Sequence, residues 1–153
     1  MEVTQTVILS LVKFLENNND YLEAKSINRR TSEEKELPAV IIREGTSSFK
    51  NIEIGSKQFW REITVYFEVF GKNDKERLDL KDKLIHLLRK NDIPLYDISS
   101  GDGEYIFGNI INYMTIVDMS DYKINLGEDL ANLNLIDRYR HLITVTFNVG
   151  RIE

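Results

Sequence analysis

Two stretches of this chain alternate apolar and polar residues so regularly that each must set one face against a core. In the first, Ser56 to Phe70, the residues Ile63, Val65, Phe67 and Val69 share one side, and Glu62, Thr64, Tyr66 and Glu68 share the other. In the second, Ile136 to Val149, the residues Tyr139, His141, Ile143, Val145, Phe147 and Val149 oppose Arg138, Arg140, Thr144, Thr146 and Asn148. A period of two marks a half-buried β-strand. A sheet with one apolar face needs a second layer against it.

Two helical patterns supply that layer. Within Val3 to Asn17, the apolar residues Val7, Ile8, Leu11, Phe14 and Leu15 recur at steps of three and four, with Thr6, Ser10, Lys13 and Asn17 opposite. The run Asn17-Asn18-Asn19-Asp20 ends it, because these side chains compete for backbone hydrogen bonds. From Lys75 to Lys90, an apolar face of Leu80, Leu84, Ile85, Leu87 and Leu88 opposes Asp79, Asp82, Lys83, His86 and Arg89. Asn73 or Asp74 is placed to cap this second helix, and Arg89 and Lys90 suit the negative end of its dipole.

The remaining segments read as strands and connections. Tyr21 to Asn28 is extended, and the charged run Arg29 to Glu36 is a loop. Leu37 to Arg43 is a short strand with Pro38 near its beginning, where a missing amide is tolerated. Glu44 to Ser48 reads as a turn, and residues 45–62 as a hairpin arm. Pro94 to Ile98 is extended, and Ser99 to Gly103 is a turn. Tyr105 to Val117 is a strand in which Gly108 marks a bulge or a close approach, with a buried helix as the alternative. Residues 118–135 read as a polar, acidic insertion. This order lacks βα alternation. It predicts one α+β domain over residues 1–153, a mainly antiparallel β-sheet with two principal α-helices packed on it.

Charge is unevenly spread along this frame. The chain has 20 basic and 25 acidic residues, a net charge of −5, which argues against a whole-protein grip on nucleic acid. From Asn91 to Asp137 there are nine acidic residues and one base, Lys123, so this stretch carries −8 and the remainder +3. There is no cysteine, which excludes disulfides, thiolate metal sites and a thiol nucleophile. The first fifteen residues have no basic leader region, and no apolar run approaches the ~20 residues that span a bilayer. The expectation is a soluble protein made in the cytosol, with no membrane partner.

The search for catalytic chemistry comes up empty. The two histidines, His86 and His141, fall on different elements, one on a charged helix face and one on an apolar strand face. An EF-hand loop started at Asp97 or Asp118 misplaces its glycine, and one started at Asp121 puts Lys123 at the third ligand position. Glu23-Ala24-Lys25 lacks the acidic partner of a metal-dependent nuclease. The serines have no G-x-S-x-G setting, and Gly101-Asp102-Gly103 is not a phosphate loop. The expectation is a non-enzyme without a cofactor. Phe49, Phe59, Trp60 and Arg61 are the candidate protein interface, since Trp and Arg often anchor one, although a core role for Phe59 and Trp60 stays equally open.

The amphipathic N-terminal helix, then L-P-A-V-I-I-R, then R-E-I-T-V-Y-F-E-V-F-G-K, the leucine-bearing helix E-R-L-D-L-K-D-K-L-I-H-L-L-R, and the closing D-R-Y-R-H-L-I-T-V-T-F-N-V-G-R form a pattern. In this order it resembles the tail terminator (tail completion, or head–tail joining) proteins of tailed bacteriophages. The resemblance covers most of the chain. It rests on elements rather than on a catalytic signature, and residues 118–134 are long for compact members. It implies a structural virion protein that forms a homo-oligomeric ring, commonly a hexamer. Such a ring caps the tail tube protein and joins it to the head–tail connector. DNA would pass through the channel without specific binding, and Asp118, Asp121, Glu128 and Asp129 are candidates for a lumen that repels phosphate. Two alternatives stay open: a head-completion, neck or minor tail adaptor protein, and a small metal-dependent hydrolase using the acidic segment.

Overall fold

A computed structural model of the chain describes residues 3–28, 36–51, 59–123 and 140–152. In chain order the elements are α1 (Val3–Asn17), α2 (Asn19–Leu22), β1 (Ser26–Asn28), β2 (Ala39–Asn51), β3 (Phe59–Phe70), α3 (Asp74–Lys90), β4 (Ile93–Gly101), β5 (Glu104–Lys123) and β6 (Arg140–Ile152). The strands form one six-stranded sheet in the order β1-β2-β3-β6-β5-β4. This is an α+β architecture. The sheet is mixed, which corrects the antiparallel expectation. The short edge strand β1 runs parallel to β2, through Ser26↔Ala39 to Asn28↔Ile41, while the other four pairings are antiparallel.

Both alternating runs form the paired centre of the sheet. Val65 of β3 lies between Glu44 of β2 and Val145 of β6, and Phe67 lies between Ile42 and Ile143. The apolar faces of β3 and β6 are fully buried and share one cluster with Val7, Leu11 and Leu15 of α1 and Leu80, Leu84 and Leu88 of α3. Both helices therefore cover the same face. α1 packs on β4 near one end of the strand order and on β1 and β2 at the other, so the sheet curls around it.

The opposite face is more polar but partly closed. Leu37, Ala39, Ile41 and Phe70 form a small buried cluster there. Glu68, expected on the solvent side, is 3% exposed and holds Arg43 across the β2–β3 pair. Thr64 and Thr146 share a hydroxyl hydrogen bond of 3.0 Å between β3 and β6.

Local signals explain most of the ends. Asn73 caps α3 by accepting from the Glu76 amide at 2.9 Å, and Glu76 reaches back to accept from the Lys72 amide at 3.1 Å. This pair resembles a capping box, with the Glu76 carboxylate taking the amide one residue before the cap. Asn18, which opens α2, donates from its side chain to the Phe14 carbonyl at 2.8 Å and so closes α1. Between β4 and β5 the chain reverses in two residues, Asp102 and Gly103, both with positive φ (48° and 81°), as the hairpin turns that match strand twist require.

Four expectations are corrected. Tyr21 to Asn28 is mostly not a strand, because residues 19–22 form the short α2 and only Ser26–Asn28 pairs. Glu44 to Ser48 is not a turn. β2 continues through it, absorbing the irregularity as a register shift between Glu44 and Ser47, where a Cβ on Gly45 would lie 2.8 Å from the Thr64 carbonyl oxygen. β4 runs on through Ser99 and Ser100 to Gly101, so the expected turn shrinks to two residues. Asp118 to Lys123 is not an insertion but the second half of β5, paired with Leu142 to Thr146 and their neighbours on β6. Aspartate is a poor strand former alone, and here cross-strand pairing outweighs that preference. The charged loop at 29–35 and residues 124–135 of the acidic segment lie outside the described residues.

Candidate assembly surface

β5 serves two partners in succession. Glu104 to Met114 pair with β4, and Thr115 to Lys123 pair with β6. At the switch, the side chain of Asn112 donates to the Val149 carbonyl at 3.1 Å, taking the place of a backbone ladder bond. The β4–β5 hairpin thus parts from β6.

α1 braces this hairpin with the residues expected to face water. Thr6 and Ser10 are buried, and the Ser10 hydroxyl accepts the Tyr96 amide of β4 at 3.1 Å. Gln5 donates to the Tyr105 hydroxyl at 3.1 Å. The Lys13 ammonium lies 4.5 Å from the centre of the Phe107 ring and 5.6 Å from that of Tyr96, a cation–π arrangement. Polar residues opposite an apolar stripe are here a second docking face rather than a solvated one. Gly108 lies close against its partner strand: a Cβ there would lie 3.1 Å from the Asp97 carbonyl oxygen, next to a register shift.

The first half of β5 leaves apolar side chains exposed on both of its sides. Ile106, Ile111, Tyr113 and Val117 keep 57%, 61%, 53% and 51% of their surface in water, and Tyr105 and Ile110 are also exposed. Tyr105 to Val117 contains no charged residue in a chain that is 29% charged. An uncharged, exposed strand rich in Ile and Tyr is a template for association. Sequence reasoning reads Tyr105 to Val117 as a strand, or a buried helix, and does not single these residues out as a surface. The signal was present in the run Tyr105-Ile106-Phe107 and again in Ile110-Ile111: neighbours on a strand face opposite ways, so apolar neighbours mean a strand covered on both sides or one awaiting a cover.

The expected site residues fall elsewhere. Phe49, Phe59 and Trp60 sit where β2 pairs β3, with Phe49 opposite Arg61, Lys50 opposite Trp60 and Asn51 opposite Phe59. Their side chains lie outside the described set. Arg61 is half-buried and donates to the Thr4 hydroxyl at 2.8 Å, tying β3 to α1. Asp118 is exposed on β5. Asp121 is engaged, with Lys81 Nζ and His141 Nε2 each 3.3 Å from its Oδ2. Glu128 and Asp129 lie outside the described residues. Of the four acidic candidates, the described residues thus show one exposed, Asp118, and one engaged, Asp121. His86 is exposed on α3, its ring centre 6.1 Å from that of Tyr21.

The Lys81–Asp121–His141 group links α3, β5 and β6 at the end of the sheet away from the hairpin. Burial pushes the Asp121 carboxyl up, but Lys81 and then His141 outweigh it and hold it below the usual carboxylate range. Burial pulls Lys81 down, and hydrogen bonds to Asp82 and Asp121 outweigh that, so its pKa is raised. For His141, burial lowers the pKa, Lys81 lowers it further, and Asp121 offsets only part. A histidine depressed on folding stays neutral in the native state while the unfolded chain protonates near 6.5. Stability is therefore full above that value and falls as pH drops from 6.5 toward the folded value. Asp121 acts lower: its contribution is present above its ordinary 3.8 and is lost as pH falls through its depressed value. The expected result is a urea midpoint that declines between about pH 7.5 and 5.5 in the native chain and declines less in His141→Gln. Equal slopes for the two proteins would remove His141 as the cause.

Among the described residues no three His, Cys, Asp or Glu side chains group as a metal site, and no helix is long and apolar enough to cross a membrane. The fold defines an α+β protein with an exposed apolar strand. The sequence matches no protein-family model and no curated protein.

Proposed function

We propose that this chain is a structural assembly protein of the phage tail terminator kind, a non-enzymatic virion component that forms a ring, commonly a hexamer. In this reading the ring caps the tail tube protein and presents its other side to the head–tail connector, and DNA passes through without specific binding. The observation that carries the reading is the exposed, uncharged stretch Tyr105–Val117 on a hairpin braced by α1. A monomer has no use for such a strand, whereas a subunit of a closed assembly does. The sequence resemblance supplies the particular assembly. The acidic character of β5 fits a channel wall in part: Asp118 is free to face a lumen, while Asp121 is occupied by Lys81 and His141.

The test is electron microscopy of the purified protein mixed with tail tubes. The expected result is a ring seated on one end of each tube, with tube length no longer increasing. Binding to connectors but not tubes would shift the reading to a neck or head-completion protein. Binding to neither would overturn it.

A further inference from the structure

The far end of β5 is held differently from the rest of the sheet. β4 pairs with β5 only as far as Met114, so among the described residues Thr115 to Lys123 have β6 alone as a neighbouring strand. From Asp118 to Asp121, three residues are exposed and only Met119 packs against the core. Apolar burial therefore does little to hold this end, and aspartate favours leaving a strand. What fastens it is Asp121, whose Oδ2 lies 3.3 Å both from Lys81 Nζ on α3 and from His141 Nε2 on β6.

His141 is the member of this junction that can take up a proton near neutral pH. It is buried, and its Nδ1 has no hydrogen-bond partner among the described residues. In the neutral ring that donates from Nε2 to Asp121, Nδ1 is a bare acceptor. A second proton must sit on Nδ1, where no acceptor meets it. The new charge also falls near Lys81 and the buried Arg77, both on α3. β5 supplies Asp121, and Lys123 stands opposite His141 in the pairing register. β3 sets the uncharged Val69 opposite it, and Arg140 falls on the other face of β6. One carboxylate would then serve both Lys81 and an imidazolium, with Arg77 close by.

We propose that Asp118–Lys123 is an acid-released flap: protonation of His141 detaches this end of β5 from β6 and α3 while the rest of the sheet stays paired. Release lets water reach the ring, so that Nδ1 gains an acceptor. It also bares the β6 edge from His141 to Thr146, a row of backbone groups able to pair with another strand. The flap is a smaller opening than the loss of global stability described above, and it does not depend on ring assembly. Once the end is open the ring titrates near its ordinary 6.5, so the open fraction gains up to about tenfold between pH 7.5 and 5.5.

Amide hydrogen exchange of the full chain at low urea tests this, with rates corrected for intrinsic exchange. At both pH values, amides 119–123 should exchange with little dependence on urea. Amides 63–69 of β3 and 80–88 of α3 should show the full dependence of global unfolding. Protection at 119–123 should fall up to about tenfold from pH 7.5 to 5.5 in the native chain. That fall should vanish in His141→Gln, which keeps a neutral donor for Asp121, and persist in His86→Gln, at an exposed position. Full urea dependence at 119–123 would mean that this end opens only with the whole fold, and would overturn the flap. So would protection there that does not change with pH, release of the α3 amides along with it, or a pH response lost in His86→Gln instead. The urea and pH readings need only the native chain, so a His141 variant that fails to fold leaves the flap open to refutation.

Discussion

Replacing Phe67 with alanine is expected to destabilise the protein by about 3–5 kcal/mol. Phe67 is fully buried at the middle of β3, opposite Ile42 on β2 and Ile143 on β6. Both α1 and α3 lie on its side of the sheet, in one continuous apolar cluster. The ring therefore fills space that no other element can fill by a small shift. Part of the loss is the transfer of the aromatic surface to water, and part is the cavity left behind. Domains of this size are stable by about 5–15 kcal/mol, so the change removes a large fraction of the total. Urea unfolding measures it. A shift of the midpoint without a change of slope is the expected form. A loss below about 1 kcal/mol would show that the two helices do not close on Phe67 as described.

The same residue shows what could be read in advance. Its alternating neighbours Ile63, Val65 and Val69 mark the strand, its buried face and the need for a covering layer without any knowledge of partners. α1 and α3 are equally legible, because an amphipathic period and a cap such as Asn73 are written within one turn of chain. What could not be read depends on residues far apart in sequence. Asp118 to Tyr122 look like an acidic loop, and they are a strand only because Leu142 to Thr146 lie alongside. Ser10 looks solvated, and it is buried because the Tyr96 amide, 86 residues away, needs an acceptor. Nothing near His141 in sequence announces that Asp121 and Lys81 converge on it. The exposure of Ile106 and Ile111 is of the same kind, since apolar strand residues look alike whether the cover is the same chain or another.

Gly71→Ala tests the joint between sheet and helix, and is expected to cost about 2 kcal/mol. Gly71 follows β3 directly and precedes the Asn73 cap of α3. Its need is space, not a left-handed backbone, since its φ is not among the positive ones. A Cβ at this position would lie 2.6 Å from the Arg77 amide nitrogen and 2.9 Å from the Arg77 Cα. Those atoms belong to the first turns of α3, where the Arg77 amide donates to the Asn73 carbonyl at 3.1 Å. A flexible side chain could swing aside, but helix backbone cannot, so the new methyl group must push α3 off the sheet or bend the turn. In an open position, losing glycine would stabilise the fold by about 0.4–1 kcal/mol through the unfolded state. Here the clash exceeds that gain and the sign reverses. The displacement is transmitted along α3 to Leu84, Leu87 and Leu88, which pack into the core, and to Lys81, which holds Asp121. The variant should therefore show both a lower urea midpoint and weaker exchange protection of the α3 amides. A midpoint equal to or above that of the native chain would mean that α3 does not approach β3 as closely as the structure has it.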